Sequence, residues 1–145
     1  MSSLDDLAKR FDLALKKFPE RRRVYHVRIG ERALGMVRGE IGGTGKVQGW
    51  QENYVGSRGG YAAVRPRPGK HGKYAVGYVT NAIENGHRTR MSKKGGARRR
   101  RGAKDFVLGR GFYRAVINSG ELENAALEEA ELLMDEIESI LEGTA

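Results

Sequence analysis

The chain has 145 residues, no cysteine, 39% hydrophobic and 31% charged residues, and a formal net charge of +9 at pH 7. That is enough for one domain with its own core, and it excludes disulfides and thiolate metal sites. No apolar run approaches the roughly 18 residues of a membrane-spanning helix, and the segment from Met1 to Asp6 lacks the basic and apolar regions of a signal peptide, so no membrane partner is expected.

From Ser3 to Phe18, Leu4, Leu7, Phe11, Leu15 and Phe18 recur at helical spacing, behind a start in which Ser3 and Asp6 resemble a capping box. Pro19 is expected to break this helix. A second helix is expected from Glu20 to Ile41, with Val24, Val27, Leu34, Val37 and Ile41 on one stripe, weakened by Gly30 and Gly35 and ended by Gly42-Gly43. Three strands follow, at Lys46–Val55, Gly60–Arg65 and Lys73–Thr80, each rich in Val, Tyr or Trp. Ser57-Arg58-Gly59-Gly60 reads as a hairpin turn, and Pro66 and Pro68 end the second strand or leave it as an edge. Residues 86–110 read as one long Gly- and Arg-rich loop, a length that is usually functional or disordered. Gly111 to Glu142 reads as one long helix, which Asn118-Ser119-Gly120 kinks or splits.

Charge is unevenly divided along this order. Residues 1–114 hold 27 bases and 9 acids, and residues 115–145 hold nine acids and no base. Such a chain is built to meet something anionic with one part and to pack or assemble with another. The basic extreme is Arg88, Arg90, Lys93, Lys94, Arg98, Arg99, Arg100, Arg101 and Lys104, a stretch with no acid. Self-repulsion there predicts a mobile segment. It has three readings: a solvated loop, a contact with nucleic-acid phosphates, or an arm that docks on an acidic protein surface. No aromatic residue lies within it to stack on bases, which argues against sequence-specific single-strand recognition. The acidic last helix is most simply a packed amphipathic helix, and its apolar face could equally meet a neighbouring subunit.

Two motifs dissolve on inspection. Gly39 to Lys46 suggests a phosphate loop, but the positions for its first Gly and for the Ser/Thr after the Lys hold Glu40 and Val47. Glu84-Asn85-Gly86-His87 suggests an acid–base or metal pair. With only three histidines, none in a ligand spacing, Glu84 is better read as a structural group paired with an arginine. No catalytic, cofactor or metal site is expected.

Three blocks, in order, resemble the small neck proteins of long-tailed bacteriophages and prophages, called tail-completion, head–tail joining or minor capsid proteins. The first runs from Gly45 through Trp50, Gln51, Tyr54 and Val55 to Pro66. The second runs from Tyr74 through Glu84 to His87. The third is Gly109 to Ala115, which includes Phe112 and Tyr113. Gly111 stands where many relatives carry a bulkier residue, and the Arg98–Arg101 run is unusually basic.

The resemblance implies an α+β domain, with a small antiparallel β-sheet packed by N-terminal helices and a long C-terminal helix. It implies no enzyme and no cofactor. It implies assembly with itself as a ring around the DNA channel, between head-connector and tail-terminator or tail-tube proteins, in a virion made in the bacterial host cytoplasm. Trp50, Tyr54, Tyr74, Glu84, Phe112 and Tyr113 would serve packing and assembly. The basic loop would face double-stranded DNA without reading bases, or dock on the next ring. The rival class is a small basic nucleic-acid-binding regulator, which should show a recognition helix with base-reaching side chains.

Overall fold

A single 38-residue helix, α1 (Leu4–Ile41), forms the spine of the computed structural model, which describes residues 3–43, 45–88 and 106–144. Its start is the expected capping box. The Asp6 amide donates to Ser3 Oγ at 3.2 Å, and the Ser3 amide donates to Asp6 Oδ2 at 3.5 Å. Its end is at Gly42, whose φ of 82° suits glycine and whose amide donates to Arg38 O at 3.1 Å.

Pro19 does not break α1, contrary to the sequence expectation. A proline removes one ladder hydrogen bond and crowds the preceding turn. Here α1 is held on both sides of it by a second long helix, α5 (Glu121–Glu142), which runs antiparallel along it. Arg10 Nη1 donates to Leu141 O at 3.5 Å on one side of the proline, and Arg21 pairs with Glu136 at 3.5 Å on the other.

After a one-turn helix, α2 (Val47–Trp50), strands β1 (Gln51–Val55) and β2 (Ala62–Pro66) pair antiparallel, with Gln51 opposite Pro66 and Val55 opposite Ala62. The turn between them contains a 3-10 segment, Ser57–Gly59, closed by the Gly56 amide on Tyr61 O at 2.9 Å. This ribbon lies on α1. Asn53 Nδ2 donates to Val27 O at 3.2 Å and to Glu31 Oε1 at 3.3 Å. The Gly30 that weakens the helix on propensity is therefore required by packing, because a Cβ there would overlap the Asn53 carboxamide.

The third expected strand is mostly helix. Only Tyr74–Ala75 (β4) is extended, paired with Lys70–His71 (β3), and α3 (Val76–Asn85) follows at once. Alternating Tyr74, Val76 and Tyr78 fit a strand, but Val76, Thr80 and Glu84 are four apart, and these are the residues α3 buries. The ends of the long loop also have structure. Strands β5 (Gly86–Arg88) and β6 (Phe106–Leu108) pair antiparallel. The chain then forms α4 (Phe112–Asn118), and the last helix is split from it at Ser119-Gly120, where Gly120 has φ 78°.

The architecture is α+β, as expected, but the sheet is three two-stranded ribbons. The core joins α1 to α4 through Val37, Ile41, Phe112 and Val116, with Val47, Val64, Ile83, Tyr113 and Leu122 packed around them. Burying a large apolar side chain is worth about 1.5–3 kcal/mol, so this cluster fixes where α4, and hence the preceding hairpin, sits.

Candidate functional site

Of the nine basic residues singled out, Arg88 is exposed on β5, opposite Phe106 of β6. Arg90, Lys93, Lys94, Arg98, Arg99, Arg100, Arg101 and Lys104 lie outside the described residues, and so does the expectation that the segment is mobile. Both ends of the basic segment are thus brought together by the β5–β6 ribbon.

The root of that ribbon is fastened to three helices by the short run Gly109-Arg110-Gly111. The Arg110 amide donates to Ile83 O at 2.8 Å, and the Gly111 amide donates to Glu84 O at 3.1 Å. Gly109 lies so close to the backbone of residues 84–86 that a Cβ would overlap it. The Arg110 guanidinium reaches across to Ile41 O at 2.7 Å, satisfying a carbonyl at the C-terminal end of α1. Gly111, at φ 62°, then turns the chain into α4.

Glu84 completes the junction. It is 8% exposed, and its carboxylate accepts from the Tyr113 amide (Oε2, 3.2 Å) and the Arg114 amide (Oε1, 3.2 Å). It therefore caps the first turn of α4, where free amides and the helix dipole favour an anion. No ion pair with an arginine forms among the described residues, so the expected partner is corrected to backbone. The Tyr113 hydroxyl donates to Gln51 Oε1, and Gln51 is itself buried. Burial, and then the Glu84 charge, push the Tyr113 hydroxyl up to about 12. The three sequence blocks thus meet at one place, through Gln51, Glu84 and Tyr113.

The other packing residues separate. Phe112 is 2% exposed in the core, and Trp50 is buried with its ring 5.3 Å from that of His71. Tyr54 is partly buried under the Arg65 guanidinium, 3.7 Å from its ring centroid. Tyr74 is exposed and stacks on Tyr78, with centroids 6.0 Å apart and planes 15° apart. Tyr78 was not singled out from sequence. Together with His87 and Arg88 these two rings line an open groove of about 450 Å³ at the base of the basic ribbon, and Lys73 Nζ lies 5.7 Å from the Tyr74 ring. Tyr74, in β4, and Tyr78, in the first turn of α3, meet because the chain turns from strand to helix between them.

Three of the acids of α5 pair with arginines of α1. Arg32 meets Glu128 at 2.9 Å and Glu129 at 3.5 Å, and Arg28 and Arg21 reach Glu129 and Glu136. Among the described residues no cluster of three His, Asp or Glu side chains could hold a metal, and no helix is long and apolar enough to cross a membrane. A scan against protein-family models found no match, and searches of curated proteins and of solved structures found none either.

Proposed function

We propose that this protein is a structural, non-enzymatic component of a bacteriophage or prophage neck, which completes the tail or joins it to the DNA-filled head at the head–tail interface of the virion. In this reading copies assemble as a ring around the DNA channel, between head-connector and tail-terminator or tail-tube proteins. The observation that carries the reading is the anchoring of the basic segment. Its two ends are paired as β5–β6, and that ribbon is tied through Glu84, Gly109 and Arg110 to α1, α3 and α4. A fixed base of this kind lets a cationic segment be held toward a polyanion, or toward an acidic face of the next ring, without any base-reading helix.

The test is replacement of Arg98, Arg99, Arg100 and Arg101 by Ala. In a virus carrying that change, filled heads and finished tails should accumulate unjoined. With purified protein, the log–log slope of DNA binding against salt should flatten by up to about 3–4, close to one for each phosphate no longer neutralised. Normal infectious particles would remove the segment from the mechanism, and empty heads would move its role to packaging.

The Tyr74–Tyr78 groove beside Arg88 favours a second reading, a stand-alone nucleic-acid-binding regulator, because exposed rings with a cationic rim can stack on bases. A marked preference for one DNA sequence, retained at high salt, would select it over the neck reading.

A further inference from the structure

Strands β1 and β2 form a two-stranded ribbon, and no third strand joins it among the described residues. The Gly56 amide on Tyr61 O and the Arg67 amide on Trp50 O mark hydrogen-bonded positions at the two ends of the ladder. Such positions alternate along an antiparallel pair. Ala63 and Arg65 therefore turn their backbone groups to β1, while Ala62 and Val64 turn theirs away. Among the described residues those outward amides and carbonyls have no backbone partner. Pro66, which has no amide to offer, falls on the same outward side, where a proline is tolerated. The opposite edge of the ribbon is partly closed, since Gln51 O accepts from Arg38 Nη2 at 3.0 Å.

Beside the β2 edge lies an open groove of about 330 Å³. Ala62 and Val64 share the ribbon face that carries Asn53, the face against α1, and they line the groove on one side. Ile29 and Ala33 of α1 line it below, and Ile117 of α4 and Leu122 of α5 line it opposite β2. None of its twelve lining residues is charged. The one polar side chain among them, Tyr113, has its hydroxyl engaged with Gln51.

We propose that this groove takes an extended segment of a second polypeptide, which adds to β2 as a third strand. An unpaired strand edge is a template for another strand. Strand addition draws affinity from main-chain hydrogen bonds and specificity from pockets that receive alternate side chains. Both features occur here together. Residues of the segment opposite Ala62 and Val64 exchange hydrogen bonds with them, and in an antiparallel pair their side chains point to the same face. That face is the groove. The occupant is therefore a segment with two aliphatic side chains two positions apart and no charge at either. Between β5 and β6 this chain has only Met91, Ala97 and Ala103 as apolar residues, none two apart, so its own basic segment does not match. The proposal is independent of the neck reading, since it concerns which peptide the purified protein binds.

A random heptapeptide library screened against the full-length protein tests it. Enriched peptides should carry two aliphatic residues at alternate positions with no charge on either. Ala62→Pro deletes the outward amide and leaves the β1 ladder intact. Ile117→Glu places a charge in the groove at a side chain that is 68% exposed. Circular dichroism of both variants should match wild type, and each should weaken the enriched peptides about tenfold. N-methylation of the peptide amide that faces β2 makes the same test on the wild-type protein. A library that yields no binder overturns the proposal. So do peptides whose binding is indifferent to Ala62→Pro and to N-methylation, which would reduce the groove to an apolar contact. Self-association of the unliganded protein that Ala62→Pro abolishes in sedimentation equilibrium would make the occupant a second copy and overturn the choice of partner.

Discussion

Replacing Glu84 should destabilise the whole domain, although the residue looks from its sequence context like one turn acid among others. Its carboxylate is buried and accepts from two amides of α4, both at 3.2 Å. Glu84→Ala removes two hydrogen bonds to a charged acceptor, each worth about 1.5–3 kcal/mol net. It also strips the negative charge from the helix N-terminus. Allowing for water entering the space, the expected loss is about 3–5 kcal/mol, a large part of the about 5–15 kcal/mol that holds a domain folded. For a chain of 145 residues that corresponds to a fall in Tm of about 10–15 °C. Glu84→Gln keeps one acceptor but turns an NH2 group against the second amide, so at least half of the loss should remain. Urea denaturation followed by circular dichroism measures both variants. A Glu84→Ala protein within about 0.5 kcal/mol of wild type, the usual range of a neutral surface change, would show that α4 does not depend on this cap.

Gly109→Ala should cost more than about 2 kcal/mol, because the new methyl meets the backbone of residues 84–86 rather than a side chain that can turn away; chemical denaturation checks it. The Tyr113 hydroxyl should ionise above the usual value near 10 and toward about 12, which absorbance at 295 nm follows by difference from Tyr113→Phe. The folded-state value is raised, so its contribution to stability is complete below pH 10 and is lost as pH climbs from 10 to 12; Tyr113→Phe should flatten that part of the stability–pH curve. Arg32→Ala removes two partly exposed ion pairs with α5 and should cost only about 0.2–1 kcal/mol, less still at high salt; thermal melts at two ionic strengths test this.

What could be read from the sequence was what local chemistry decides. Ser3 with Asp6 marked one end of α1 and Gly42 the other, and the strands expected at Lys46–Val55 and Gly60–Arg65 are present at Gln51–Val55 and Ala62–Pro66, although Val47–Trp50 of the first is helical. What failed was decided at a distance. Pro19 reads as a break until α5 is seen bracing the helix on both sides of it. The stretch Tyr74–Thr80 fits periods of 2 and of 3.6, and packing of Val76 and Thr80 decides for helix. At the junction, Glu84, Phe112 and Tyr113 were picked out individually, and the Glu84 carboxylate crosses 29 residues to accept from the Tyr113 amide. An arginine was the natural partner to expect for a carboxylate in so basic a chain; the first turn of a helix that begins after the basic segment supplied two amides instead.

The distribution of charge changes meaning once α5 lies on α1. Read along the chain, a basic portion ends at residue 114 and an acidic tail follows. Folded, the tail lies along the first helix. Residues 1–41 hold ten bases and six acids, and residues 115–145 hold nine acids, so this helical layer is net −5. Residues 42–114 hold seventeen bases and three acids, net +14, and Glu84, one of the three, is buried as a cap. The positive charge is therefore concentrated in the ribbons and the segment between β5 and β6, and the anionic layer carries the exposed Leu–Phe stripe. The cationic part is suited to a polyanion, in a contact sensitive to salt. Raising ionic strength should therefore release DNA while the fold, held by apolar burial, persists; circular dichroism recorded alongside a binding titration checks this, and unfolding in step with release would refute it.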